Sequence, residues 1–197
     1  MKRVVLIALA VLMTVGIAAA DTVYTTTGTF SAATPGLTFT GITSNTALNP
    51  PNPTGISLGF FTVSSGSLDN LTGTNFTLTL SQSSPTPGGP TNFGQGTFTG
   101  TIFANGGTNA YIAFTSPVSI TFTGSGGTHW TYTILSTLNT SNGGGPGVEL
   151  VGSTTNNGQS TIQGEMAVTA PEPASMFLLG TGLVALGRGV RRRLHKS

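Results

Sequence analysis

Between residues 21 and 170 apolar and polar side chains alternate, and the alternation breaks mainly at clusters of Gly, Pro and Asn. Phe76, Leu78 and Leu80 fall on one face, with Thr77 and Thr79 on the other. Phe98 and Ile102 oppose Thr97, Thr99 and Thr101; Val118, Ile120 and Phe122 oppose Ser119, Thr121 and Thr123. Trp130, Tyr132, Ile134 and Leu138 oppose Thr131, Thr133 and Thr137, and Met166 and Val168 oppose Glu165, Ala167 and Thr169. A period of two is the signature of a strand with one buried face. The pattern predicts strands near 22–30, 37–42, 55–64, 75–82, 94–104, 109–115, 117–123, 129–139, 147–152 and 160–169. Turn chemistry separates them at residues 49–53, 85–90, 105–107, 124–127 and 142–147. Asn-Gly steps there accept the positive φ of tight hairpin turns.

The expected fold class is therefore all-β, with residues 21–170 forming an antiparallel β-sandwich. A single-sheet solenoid also accommodates such strands. A partly disordered chain fits less well, because patterned phenylalanines imply a core. At 150 residues the segment is one domain by length and large enough to bury one. It has no cysteine, so burial and backbone hydrogen bonds must stabilise it without disulfides. Thiol catalysis and thiolate metal sites are excluded for the same reason.

Composition changes the picture at the surface. The segment holds 34 Thr and 16 Ser, a third of its residues. All seven Lys and Arg of the chain lie outside it, whereas Asp21, Asp69, Glu149 and Glu165 lie inside, so its side chains sum to −4. A nucleic-acid-binding domain would carry cations on its folded part, where phosphates could be neutralised. No nucleic-acid partner is expected.

The two ends are different. Lys2 and Arg3 precede an apolar stretch over residues 4–17 and the small residues Ala18, Ala19 and Ala20. That order reads as a signal peptide over residues 1–20, cleaved between Ala20 and Asp21, with signal peptidase and the secretion machinery as partners. At the other end, Pro171-Glu172-Pro173 precedes an apolar run over residues 174–187 and the cations Arg188, Arg191, Arg192, Arg193 and Lys196. The run predicts a short hydrophobic helix. Its 14 residues reach only ~21 Å at ~1.5 Å per residue, against a hydrocarbon core of ~30 Å. A marginal span suits a transient inner-membrane anchor, with the basic tail as its stop-transfer signal on the cytoplasmic side.

This order at residues 171–197 resembles the PEP-CTERM sorting signal of exopolysaccharide-producing Gram-negative bacteria. The resemblance covers about an eighth of the chain and implies exosortase, a membrane-embedded cysteine protease, as partner. It also implies removal of the tail and delivery to the cell surface or extracellular matrix.

Candidate chemistry is sparse. His129 is the only histidine within residues 21–170, and a triad would need Asp69, Glu149 or Glu165 to orient it. Glycosidase chemistry would need two of those carboxylates within about 5–10 Å. No G-x-S-x-G elbow, phosphate loop or acidic calcium loop is present, so no catalytic residue, cofactor or metal is expected. Trp130 and Tyr132, with Tyr24 and Tyr111, are candidates for glycan contact if two of them face outward. Trp130 and Tyr132 share parity with Ile134, which places them in the core instead. Asn70-Leu71-Thr72, Asn75-Phe76-Thr77 and Asn139-Thr140-Ser141 fit the N-glycosylation pattern, which Ser/Thr-rich chains also produce by chance. Taken together these readings describe a non-enzymatic surface or matrix protein in contact with exopolysaccharide. A carbohydrate-binding module is the alternative, and a glycan-active hydrolase is a third class.

Overall fold

The computed structural model describes residues 22–44, 53–66, 68–84, 88–115, 118–124 and 127–169, together with Gly182. The chain divides into two compact units, one of which is Ala19–Thr169. The expected signal peptide, its Ala20–Asp21 junction and, Gly182 apart, the C-terminal hydrophobic helix lie outside the described residues.

Thirteen strands run through the described part: β1 (Val23–Phe30), β2 (Leu37–Thr40), β3 (Thr43–Ser44), β4 (Thr54–Val63), β5 (Asp69–Asn70), β6 (Asn75–Ser84), β7 (Gly88–Thr99), β8 (Thr101–Ile102), β9 (Tyr111–Phe114), β10 (Ser119–Thr123), β11 (His129–Ile134), β12 (Gly147–Glu149) and β13 (Gln159–Thr169). One sheet has the order β12-β9-β7-β6-β1-β3 and the other β10-β11-β13-β4-β2, while β5 and β8 form a small ribbon. The strand pairs are antiparallel. The chain passes repeatedly from one sheet to the other, so each layer is stitched to its partner by covalent crossings.

Both sheets turn one face into a single core. Leu78, Phe98 and Ile112 come from the first sheet, and Phe61, Tyr132, Ile162 and Met166 from the second. The alternation works as the sequence implies: Phe76, Leu78 and Leu80 are buried, as are Trp130, Tyr132 and Ile134 on β11. The antiparallel sandwich is the architecture observed.

The largest boundary differences fall in three places, each with a local cause. The strand expected over 94–104 ends at Thr99, because Gly100 has φ +105° and leads into β8 of the ribbon. A Cβ at Gly100 would lie 2.6 Å from the Ala110 Cα, so glycine is required there. At the other end β7 starts at Gly88, inside the Pro/Gly cluster that reads as a turn. Pro90 is tolerated because β9 pairs only with Gly96–Thr99, leaving the first half of β7 with one neighbour, and because the β6 register shifts there. The strand expected over 129–139 stops at Ile134. The segment beyond it turns to bridge Thr137 with Pro146, yet Leu138 still reaches the core.

Candidate functional site

The outward faces carry the distinctive chemistry. On the first sheet Thr25, Thr27 and Thr29 of β1 lie opposite Ser81, Thr79 and Thr77 of β6. Thr77 and Thr79 in turn lie opposite Gln95 and Asn92 of β7. On the second sheet β10 and β11 form three polar rungs. Ser119 and Thr133 hydroxyls are 3.3 Å apart, Thr121 and Thr131 3.0 Å, and the Thr123 hydroxyl lies 3.0 Å from His129 Nδ1. Each rung is a directly opposed cross-strand pair, where β-branched hydroxyls meet without strain. Neither face carries a cation, since residues 21–170 contain no Lys or Arg. The sequence shows the threonine parity; the pairing of rungs depends on strand register, which no local pattern specifies.

The titratable groups are dispersed. Asp69 sits on the β5–β8 ribbon, Glu149 on the first sheet and Glu165 on the second. Asp69 is buried, and its Oδ2 accepts the Gly36 N–H at 3.3 Å, fixing the turn before β2. His129 lies opposite Thr169, and Glu165 opposite Thr133. That separates the two by four residues along the ladder, roughly 13 Å at ~3.3 Å per residue. Among the described residues no three His, Asp or Glu side chains gather to hold a metal ion.

Glu149 clamps a loop, a role that strand parity does not reveal. Its carboxylate accepts the Asn139 backbone N–H at 3.1 Å, the Asn139 side-chain amide at 2.6 Å and the Asn142 amide at 2.9 Å. It thereby ties down the glycine-rich loop that runs from Asn139 into β12. These donors, the Asn139 backbone N–H first, hold its carboxyl below the ordinary 4.5. The only available signal was an Asn pair three residues apart before a glycine run.

The aromatic candidates for glycan contact, Trp130 and Tyr132, lie on the inner side that their parity with Ile134 implies. Trp130 is 6% exposed and Tyr132 0%, so neither presents a face on which a sugar ring could stack. Both point inward because they share parity with Ile134 on a strand whose other face bears Thr131 and Thr133. The Tyr132 hydroxyl donates to Gln82 Oε1 at 2.9 Å, and its ring meets Tyr24 edge-on at 5.5 Å. Tyr24 is buried as well and donates to the Ser57 carbonyl at 2.8 Å. Burial first, and the neighbouring Tyr24 second, push the Tyr132 phenol well above its ordinary value of 10.0. In the three glycosylation-like triplets the Asn side chains are engaged. Asn70 accepts from the Thr72 N–H, Asn75 accepts from the Thr97 hydroxyl, and Asn139 donates to Glu149.

Fold and surface together define a class: an all-β sandwich with hydroxyl-rich outer faces, followed by a C-terminal segment of quite different composition. Residues 169–193 match the PEP-CTERM protein-sorting motif, spanning Pro171, Glu172, Pro173, Arg188, Arg191, Arg192 and Arg193. The chain carries a signal for export, for membrane anchoring before processing, and for exosortase as processing partner. No curated protein and no solved structure matches the chain. The matched residues after Thr169, Gly182 apart, and Lys196 beyond them lie outside the described residues. Among the described residues no helix is long and apolar enough to cross a membrane.

Proposed function

We propose that the protein is a non-catalytic component of the cell surface or exopolysaccharide matrix, released from its membrane anchor by exosortase. The observation that carries this reading is the pair of sheet faces covered by Thr, Ser, Asn and Gln without a single Lys or Arg. A cation-free, hydroxyl-rich face of this kind stays compatible with a hydrated, crowded polysaccharide, to which it offers many weak hydroxyl contacts. The dispersal of His129, Asp69, Glu149 and Glu165 supports a role without catalysis. The burial of Trp130 and Tyr132 disfavours a stacking-type sugar module.

Mass spectrometry of the protein recovered from cell surface and medium tests the processing. The expected product begins at Asp21 and lacks the apolar run and the basic tail. Deleting residues 174–197 should shift the protein from the surface fraction into the medium. Recovery of full-length chain from the cytosol would overturn the reading.

A further inference from the structure

The sandwich leaves four strands at sheet margins, and one of them is built to accept another strand. The margin at β12 is covered, because Gly147 N–H donates to the Ser136 carbonyl and Leu138 N–H to the Gly145 carbonyl. The margin at β3 is two residues long. The margin at β2 is four residues long and runs at once into a backbone bond from Thr26 N–H to the Ile42 carbonyl. The remaining margin, β10, is five residues long and pairs with β11 with no register shift. It contains no charge and no proline, the two devices that usually block strand addition.

Register shows which backbone groups β10 presents. Ile134 N–H donates to the Val118 carbonyl, and Ser119 lies opposite Thr133, so Val118 and Ile134 form a hydrogen-bonded pair. Hydrogen-bonded and non-hydrogen-bonded pairs alternate along an antiparallel ladder. Ser119, Thr121 and Thr123 therefore aim their N–H and C=O groups away from β11, and no described strand other than β11 pairs with β10. Their side chains are exposed. On the inner side of the same margin Val118 and Phe122 are only partly buried against the core.

We propose that β10 pairs antiparallel with β10 of a second copy of this chain, joining the two five-stranded sheets into one. The strand is self-complementary about Thr121. A two-fold axis there sets Thr121 against Thr121 of the second copy and Ser119 against Thr123, so each outward N–H meets an outward carbonyl. The side chains that meet are hydroxyls of like size, and no like-charge contact forms. The hydroxyl rungs of β10 and β11 then continue across the axis, and the half-open Val118 and Phe122 gain apolar cover. Such an interface is isologous and closes at a dimer.

The chain has no native cysteine, so single-cysteine variants of the full-length protein in detergent read the contact directly. Directly opposed, hydrogen-bonded residues sit ~5.5 Å apart at Cα, inside the ~4.4–6.8 Å that a disulfide spans. Under mild oxidation Thr121→Cys should give a covalent dimer at least tenfold more abundantly than Thr27→Cys on the exposed face of β1. Ser119→Cys should cross-link well only when mixed with Thr123→Cys, which reports the antiparallel register. Thr121→Lys, at an exposed position, should keep the thermal unfolding of the wild type yet sediment as a monomer where the wild type sediments as a dimer. Equal cross-linking of Thr121→Cys and Thr27→Cys would overturn the proposal. So would a wild type that sediments as a monomer, or as an open-ended series beyond the dimer.

Discussion

The core has two ends of different chemistry. At one end Phe30, Phe39, Phe61, Phe76 and Phe98 pack ring against ring, with Phe61 at their centre. Its centroid lies 4.9 Å from Phe76, 5.4 Å from Phe39, 5.4 Å from Phe98 and 6.4 Å from Phe30. At the other end Tyr132 stands between Tyr24 and Phe122, at 5.5 and 5.8 Å, with its hydroxyl on Gln82. β1 and β6 serve both ends: Phe30 and Phe76 sit at one end of the β1–β6 ladder, Tyr24 and Gln82 at the other. The phenylalanine end is held by shape and dispersion, and tolerates no cavity. The tyrosine end must also satisfy polar atoms in a dry place, and among the described residues no buried side-chain polar atom lacks a partner. One end is sensitive to volume, the other to hydrogen bonds and pH.

The largest effect is expected from Phe61→Ala. The ring is fully buried, and its loss opens a cavity among four other rings. Destabilisation of about 3–5 kcal/mol follows, from burial and cavity together. A domain of this size should then melt roughly 6–20 °C lower, at about 2–4 °C per kcal/mol. A shift of only a degree or two would mean that the cluster repacks and that the proposed contrast between the ends is weak.

Tyr132→Phe probes the opposite end with almost no change in volume. It removes one donor from Gln82 and should cost about 0.5–1.5 kcal/mol, the net worth of a typical hydrogen bond. Combining it with Gln82→Leu should cost less than the two single changes added together, because both delete the same contact. Additive effects would show that Tyr132 matters here as a ring and not as a hydroxyl.

Both ends were visible along the chain in unequal measure. Phe76, Leu78 and Leu80 show their inward face through parity alone, because β6 is a regular strand. Parity also places Trp130 and Tyr132 inside. It does not reveal that Tyr132 meets Gln82, 50 residues away. Nor does it reveal the two-residue strands β3, β5 and β8, which are too short to show any period. The sorting segment is legible as a linear pattern, since a processing enzyme reads residues in order. Pairing along β10 and β11 is not, because register is a relation between distant segments. The Glu149 clamp lies between these cases: its donors Asn139 and Asn142 are close in sequence, but only the hairpin return through β12 brings the carboxylate to them.

Titration sharpens the contrast further. The Tyr132 phenol has a folded-state value raised above 10.0, so its stabilising contribution is complete below pH 10 and declines as pH climbs beyond that. Unfolding followed by the fluorescence of Trp130, the chain's only tryptophan, should show the alkaline loss in the wild type and a smaller loss in Tyr132→Phe. An unchanged alkaline limb would remove Tyr132 as its source.

The smallest effect is expected at the surface, away from both ends of the core. The Glu149 carboxyl is held below its ordinary 4.5, so the sign is opposite to that of Tyr132. Its contribution is present above pH 4.5 and fades as pH falls toward the lowered folded-state value. Glu149→Gln should flatten this acid limb and speed amide exchange at Asn139, whose N–H donates to the carboxylate at 3.1 Å. The core should be left as it was, because the clamp holds a loop and not the packing beneath it. If Glu149→Gln instead lowered the melting temperature as far as Phe61→Ala, the glycine-rich loop would be part of the cooperative core and no longer an addition to its edge.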